Sequence, residues 1–148
     1  MLQVSRFTSK LTTTQKKIFA ELVGTFIVVT SATGSVVIDA KLGGILGIPF
    51  IAFAPFVGVA ISVYLFGKVS MAHFNPAVTI GYLITGHLRK NLLARYFGAE
   101  IIGALLASVF VKYVIGTEAN LGANSPNYDF PIPFIFGIEV LASGLLMA

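Results

Sequence analysis

A few positions place polar, chemically capable groups where a chain this apolar has little reason to carry them. Asn75 stands directly before Pro76, His73 lies two residues earlier, and Glu21, Glu100 and Glu139 sit in or at the edge of long apolar runs. An amide can donate and accept together, and an ionised carboxylate only accepts. Asn is a preferred N-cap and Pro is favoured at the first helical position, so Asn75-Pro76 predicts a helix over 75–86. As its cap, Asn75 accepts from the backbone N–H of Ala77 or Val78 and keeps its NH₂ group for something else. No nucleophile with a neighbouring base, no carboxylate pair at a cleft and no cluster of metal ligands is legible, so neither an enzyme, a metal nor a cofactor is expected. The absence of Cys removes thiolate chemistry, disulfides and Cys-based metal sites.

The elements around these residues explain why an Asn-Pro pair deserves more than a capping role. Hydrophobic residues make up 56% of the 148 and charged ones only 11%, a balance that calls for lipid as the main solvent. A helix crosses a bilayer core of about 30 Å with roughly 20 residues, which leaves room for three or four crossings. Residues 1–17 form a basic, Ser/Thr-rich flank with Arg6, Lys10, Lys16 and Lys17; it has the composition of a transit peptide but fits a cytoplasmic anchor better. Spans are expected over 18–38, 45–66 and 91–115, with Pro49 and Pro55 inside the second, where Pro55 implies either a kink or packing against neighbours that re-satisfy the freed carbonyl. Residues 116–133 read as an Asn-, Gly- and Pro-rich loop, and 134–148 as the start of a fourth span.

Between the second and third spans, Asn75-Pro76 splits an apolar stretch into two short arms. The helix after it covers about half of the hydrocarbon, and Lys68 to Phe74, if extended, reach the midplane, so this segment enters and leaves on one side. Irregular backbone at that depth is tolerated where protein buries it or where it lines a polar path. The carbonyls of Ser70, Met71, Ala72, His73 and Phe74 then supply acceptors, while the half-helix aims its positive dipole end at the membrane centre. Eight of the ten basic residues (Arg6, Lys10, Lys16, Lys17, Lys68, Arg89, Lys90, Arg95) fall on one side if the N-terminus is cytoplasmic, against Lys41 and Lys112 on the other. These charges follow the membrane layout, and nucleic acid is not an expected partner.

The run Ala72-His73-Phe74-Asn75-Pro76-Ala77-Val78-Thr79-Ile80-Gly81 resembles the first Asn-Pro-Ala signature of the major intrinsic protein family, the aquaporins and glycerol facilitators. Ala20-Glu21-Leu22-Val23-Gly24-Thr25-Phe26 and Glu100-Ile101-Ile102-Gly103-Ala104 extend the likeness, and Phe136-Gly137-Ile138-Glu139 echoes the first of these as the start of a second repeat would. The resemblance implies an all-α integral membrane fold, aquaporin-like, with three full transmembrane helices (18–115 forming the first repeat), a re-entrant half-helix and the start of a fourth span. It implies passive conduction of water or another small neutral solute past Asn75, Pro76 and Ala77, with Val28, Val59 and Val78 facing the pore. Glu21 and Glu139 would support re-entrant loops, and the His73 carbonyl would line the pore while its ring packs. At the constriction the usual aromatic position falls at Pro55, beside Phe56, which implies a wider filter. The family's second Asn-Pro-Ala motif and constriction Arg do not occur in this sequence, so a fragment, a half-channel completed by a partner, or a non-conducting membrane subunit are the alternatives. Family channels assemble as homo-tetramers, and the plasma membrane is the expected location.

Overall fold

The computed structural model describes residues 11–147, so Arg6 and Lys10 of the expected basic flank lie outside the described residues. Helix α1, Thr13–Lys41, opens with a reciprocal capping box. Gln15 N–H donates to the Thr12 hydroxyl at 3.3 Å and Thr12 N–H donates to the Gln15 side chain at 2.8 Å. This box carries the helix out beyond the expected 18–38. At its far end the Asp39 carboxylate accepts from Leu46 and Gly47 N–H at 2.9 Å each, which turns the chain directly into α2, Gly47–Ser70.

Pro49 falls in the first turn of α2, where a missing N–H leaves no gap, and Pro55 lies inside the helix, where it removes the donor that the Ile51 carbonyl would use. The second helix runs past the expected end at Phe66, because Gly67 and Lys68 do not stop it. Lys68 suits the negative end of the dipole, and Met71, in the left-handed region at φ 75°, closes the helix by donating to the Gly67 carbonyl. The irregular chain expected over Lys68–Phe74 is therefore only Met71–Asn75.

Half-helix α3, Pro76–Ile84, is nine residues long, and Gly86 at φ 79° ends it slightly short of the expected 86. A 3₁₀ turn, Lys90–Leu92, leads into α4, Leu93–Phe110, which continues through a π turn, Val111–Ile115. Inside the expected loop the backbone of Ala119, Asn120 and Leu121 makes a tight left-handed turn (Glu118–Gly122). The last helix, α5, is Ile132–Met147.

Three helices, Thr13–Lys41, Gly47–Ser70 and Lys90–Ile115, are long and apolar enough to cross a membrane. α1 is the central one and packs against both α2 and α4. Small residues allow the approach: a Cβ on Gly103 would lie 2.5 Å from the Leu22 carbonyl oxygen and 3.1 Å from Thr25 Cβ, and one on Gly58 would strike Ser31. Gly103→Val should thus cost about 1–3 kcal/mol through overpacking. The drop is measurable as an earlier thermal unfolding midpoint in detergent, with Gly98→Val, which has nothing within reach of a Cβ, as the neutral control.

Candidate functional site: the re-entrant loop and its cavity

Met71, Ala72 and Phe74 all have positive φ (75°, 55° and 50°), an arrangement that non-glycine residues hold only when their surroundings fix them. Glu21, fully buried on α1, does most of that fixing. Its carboxylate accepts from His73 N–H at 3.1 Å and from Phe74 N–H at 2.7 Å. On the α2 side the Ser70 hydroxyl accepts from Ala72 N–H at 3.3 Å, and the Tyr96 hydroxyl of α4 donates to the Ser70 carbonyl at 3.0 Å. Phe74 turns inward against Gly24, where any larger residue would meet its ring.

A second carboxylate, Glu100 on α4, holds the half-helix. Thr79 donates its hydroxyl proton to Glu100 and so accepts from His73 Nδ1 at 2.8 Å, which assigns that nitrogen as the protonated one. The His73 ring is buried and stacks on Tyr82 with centroids 4.4 Å apart and planes 10° apart, while Tyr96 lies across it at 4.8 Å. Loop, half-helix and two spans thus share one polar network. Thr79→Val should cost about 1–3 kcal/mol by leaving buried partners unpaired, and Thr79→Ser should recover most of it. Thermal unfolding of the two variants side by side checks this.

Asn75 caps α3 with its Oδ1, which accepts from Ala77 N–H at 2.9 Å and leaves the NH₂ to the cavity beside it. That cavity, of about 520 Å³, gathers Val28 from α1, Val59 from α2, Ala72 to Asn75 from the loop and Val78 from α3. All of these are residues that the sequence marks for a pore. Others fall elsewhere. Ser70 is fully buried with its carbonyl taken by Tyr96, so it supports the loop and supplies no acceptor to the cavity. Met71, Pro55, Phe56, Pro76 and Ala77 are absent from the lining, and Phe56 is 64% exposed and lies against Phe53. Glu139 is exposed on α5, with no second re-entrant loop among the described residues for it to hold.

Val63, Tyr82, Thr85, His87 and Leu146 complete the lining without having been singled out in the sequence. Val63 and Tyr82 stand four residues beyond Val59 and Val78, so helical periodicity alone would find them. Glu100 carried a signal too, as an acid inside a span, whereas nothing local marks Thr79 as its partner. Among the described residues no three His, Asp or Glu side chains gather as a metal site.

The Major intrinsic protein family matches this sequence over residues 8–148, nearly its whole length. The chain belongs to the major intrinsic protein family. It is similar to Aquaporin NIP1-1 of Zea mays (36% identical, covering 68% of this chain and 36% of that protein). It is similar also to Aquaporin Z of Photorhabdus laumondii (39% identical, 69% of this chain and 44% of the other). Glycerol uptake facilitator protein-like 6 of Lactiplantibacillus plantarum is 39% identical over 89% of this chain and 60% of its own length. The chain thus spans about half or less of most of the curated relatives it matches. As a major intrinsic protein it is a multi-pass integral membrane protein of a channel family, not an enzyme.

Proposed function

We propose that this chain forms one half of a passive channel for a small neutral solute. The observation that carries the reading is Asn75: it caps a half-helix at the wall of a cavity whose lining includes Val28, Val59, Val63, Val78 and Phe74. A solute oxygen reaching this point meets the Asn75 NH₂ and the positive end of α3, with the apolar side chains of Val28, Val59 and Val78 in the same wall. The same dipole end opposes cations. Carbonyls of Ala72, His73 and Phe74 provide the acceptors on the approach, and Glu21 and Glu100 keep them in place.

The remaining features fit a complete channel. A second, inverted repeat would bring its own half-helix from the other side of the membrane, and Glu139 at the start of α5 would serve its loop as Glu21 serves the first. The basic residues favour a cytoplasmic N-terminus, so the re-entrant loop opens from the cytoplasm. Pro55 lies one helical turn from Val59 on the same face of α2 and contributes less bulk than an aromatic residue would, which favours a constriction wide enough for solutes larger than water. Assembly as a homo-tetramer in the plasma membrane completes the proposal.

Blocking the cavity tests it. Val59→Trp in the full channel should fill the space opposite Asn75 and lower solute flux into reconstituted vesicles at least about tenfold, the effect of a barrier raised by roughly 1.4 kcal/mol. Flux equal to that of the unmodified channel would remove this cavity from the conduction path.

A further inference from the structure

A second concavity lies between the N-terminal end of α1 and the start of α4, and it shares no lining residue with the cavity beside Asn75. Its volume is about 440 Å³, and its wall is apolar apart from one end: Ile18, Phe19 and Leu22 run along α1, with Gln15 and Arg95 where the helices begin. Ile18 also packs against the buried cluster of Leu88, Leu92 and Tyr96, so the floor is anchored to the core. From Thr14 to Leu22 the groove follows α1 for roughly 12 Å, within the ~15 Å that one leaflet contributes to the hydrocarbon core.

The chain segments that flank the groove carry charge of one sign. Residues 12–17 and 86–95 hold Lys16, Lys17, Arg89, Lys90 and Arg95 and no acid, and of these Arg95 lines the groove. Arg95 is exposed in the first turn of α4, where a cation opposes the helix dipole and no acidic residue offsets it. The helix gains nothing from a cation there, whereas an external anion does. A guanidinium fork matches phosphate oxygens in a bidentate geometry.

We propose that this groove binds one anionic phospholipid, with an acyl chain lying along Ile18, Phe19 and Leu22 and the phosphate paired with Arg95. A zwitterionic lipid carries the same phosphate but brings an ammonium group beside Arg95, with no acid in the flanking segments to receive it, so the site prefers an uncapped negative headgroup such as phosphatidylglycerol. The proposal is independent of conduction, because no group in it lines the central cavity.

Native mass spectrometry of the full channel protein, titrated with phosphatidylglycerol or phosphatidylcholine, tests the site. The expected result is a preference for phosphatidylglycerol that falls about fivefold in Arg95→Gln, the effect of one cation near an anionic headgroup. Arg95→Lys, which preserves the charge and serves if the Gln variant fails to fold, should fall less. In the unmodified protein, sn-glycerol 3-phosphate, a headgroup without a chain, should not displace the bound lipid. Equal binding of the two lipids, an unchanged preference in Arg95→Gln, displacement by glycerol phosphate, or an equal loss in an Arg89→Gln, Lys90→Gln double variant would each overturn it.

Discussion

Replacing Glu21 by Ala should collapse the re-entrant loop while leaving α1 helical. Two backbone N–H groups, of His73 and Phe74, donate to that carboxylate, which is fully buried inside the protein. Hydrogen bonds to a charged group contribute roughly 1.5–3 kcal/mol each, so the pair is worth about 3–6 kcal/mol, and three left-handed residues lose their main restraint. Glu21→Gln should recover only part of this. Its one oxygen can accept from one N–H, but its NH₂ then faces the other as donor against donor. The expected measurement is faster hydrogen exchange at the His73 and Phe74 amides in both variants, greater in Ala than in Gln. Unchanged protection of these amides would assign the loop's conformation to packing, with Phe74 on Gly24 as the first candidate.

Glu21 also shows how far sequence reasoning reaches. Its charge inside a span marks it as used, because an unpaired carboxylate is too costly there, and the Asn75-Pro76 pair fixes a helix start from local chemistry alone. The three long helices follow from apolar runs of sufficient length. What the sequence does not carry is distance: Thr79 and Glu100 are far apart in the chain, and only the packing of α3 on α4 brings them together. Ser70 is the converse case. It sits in the approach to Asn75 and looks like a pore carbonyl, until Tyr96 from another helix takes that carbonyl. At the end of α2, Gly67-Lys68 resembles a stop signal, yet the helix continues to Ser70 and closes at Met71, the residue that adopts the left-handed conformation.

Asn75→Asp should separate folding from conduction. Asp is as good an N-cap as Asn, and a negative charge at the start of α3 complements the dipole, so the variant should fold. The cavity, however, loses the NH₂ donor and gains an anion where the positive end of α3 had opposed cations. Losing one hydrogen bond to the solute, about 1–1.5 kcal/mol, should lower neutral-solute flux roughly five- to tenfold. Cation leakage should rise at the same time. A variant that folds and transports as before would mean that Asn75 only caps a helix.

The most direct test of the central claim, passive conduction of a neutral solute past Asn75, is made on the full channel protein in lipid vesicles. Stopped-flow light scattering follows water and glycerol entry while membrane current is recorded under an imposed ion gradient. The account predicts permeability to at least one of the two solutes well above that of protein-free vesicles, with no accompanying ionic current. Permeability equal to bare lipid for both solutes, or flux accompanied by cation current, would contradict it.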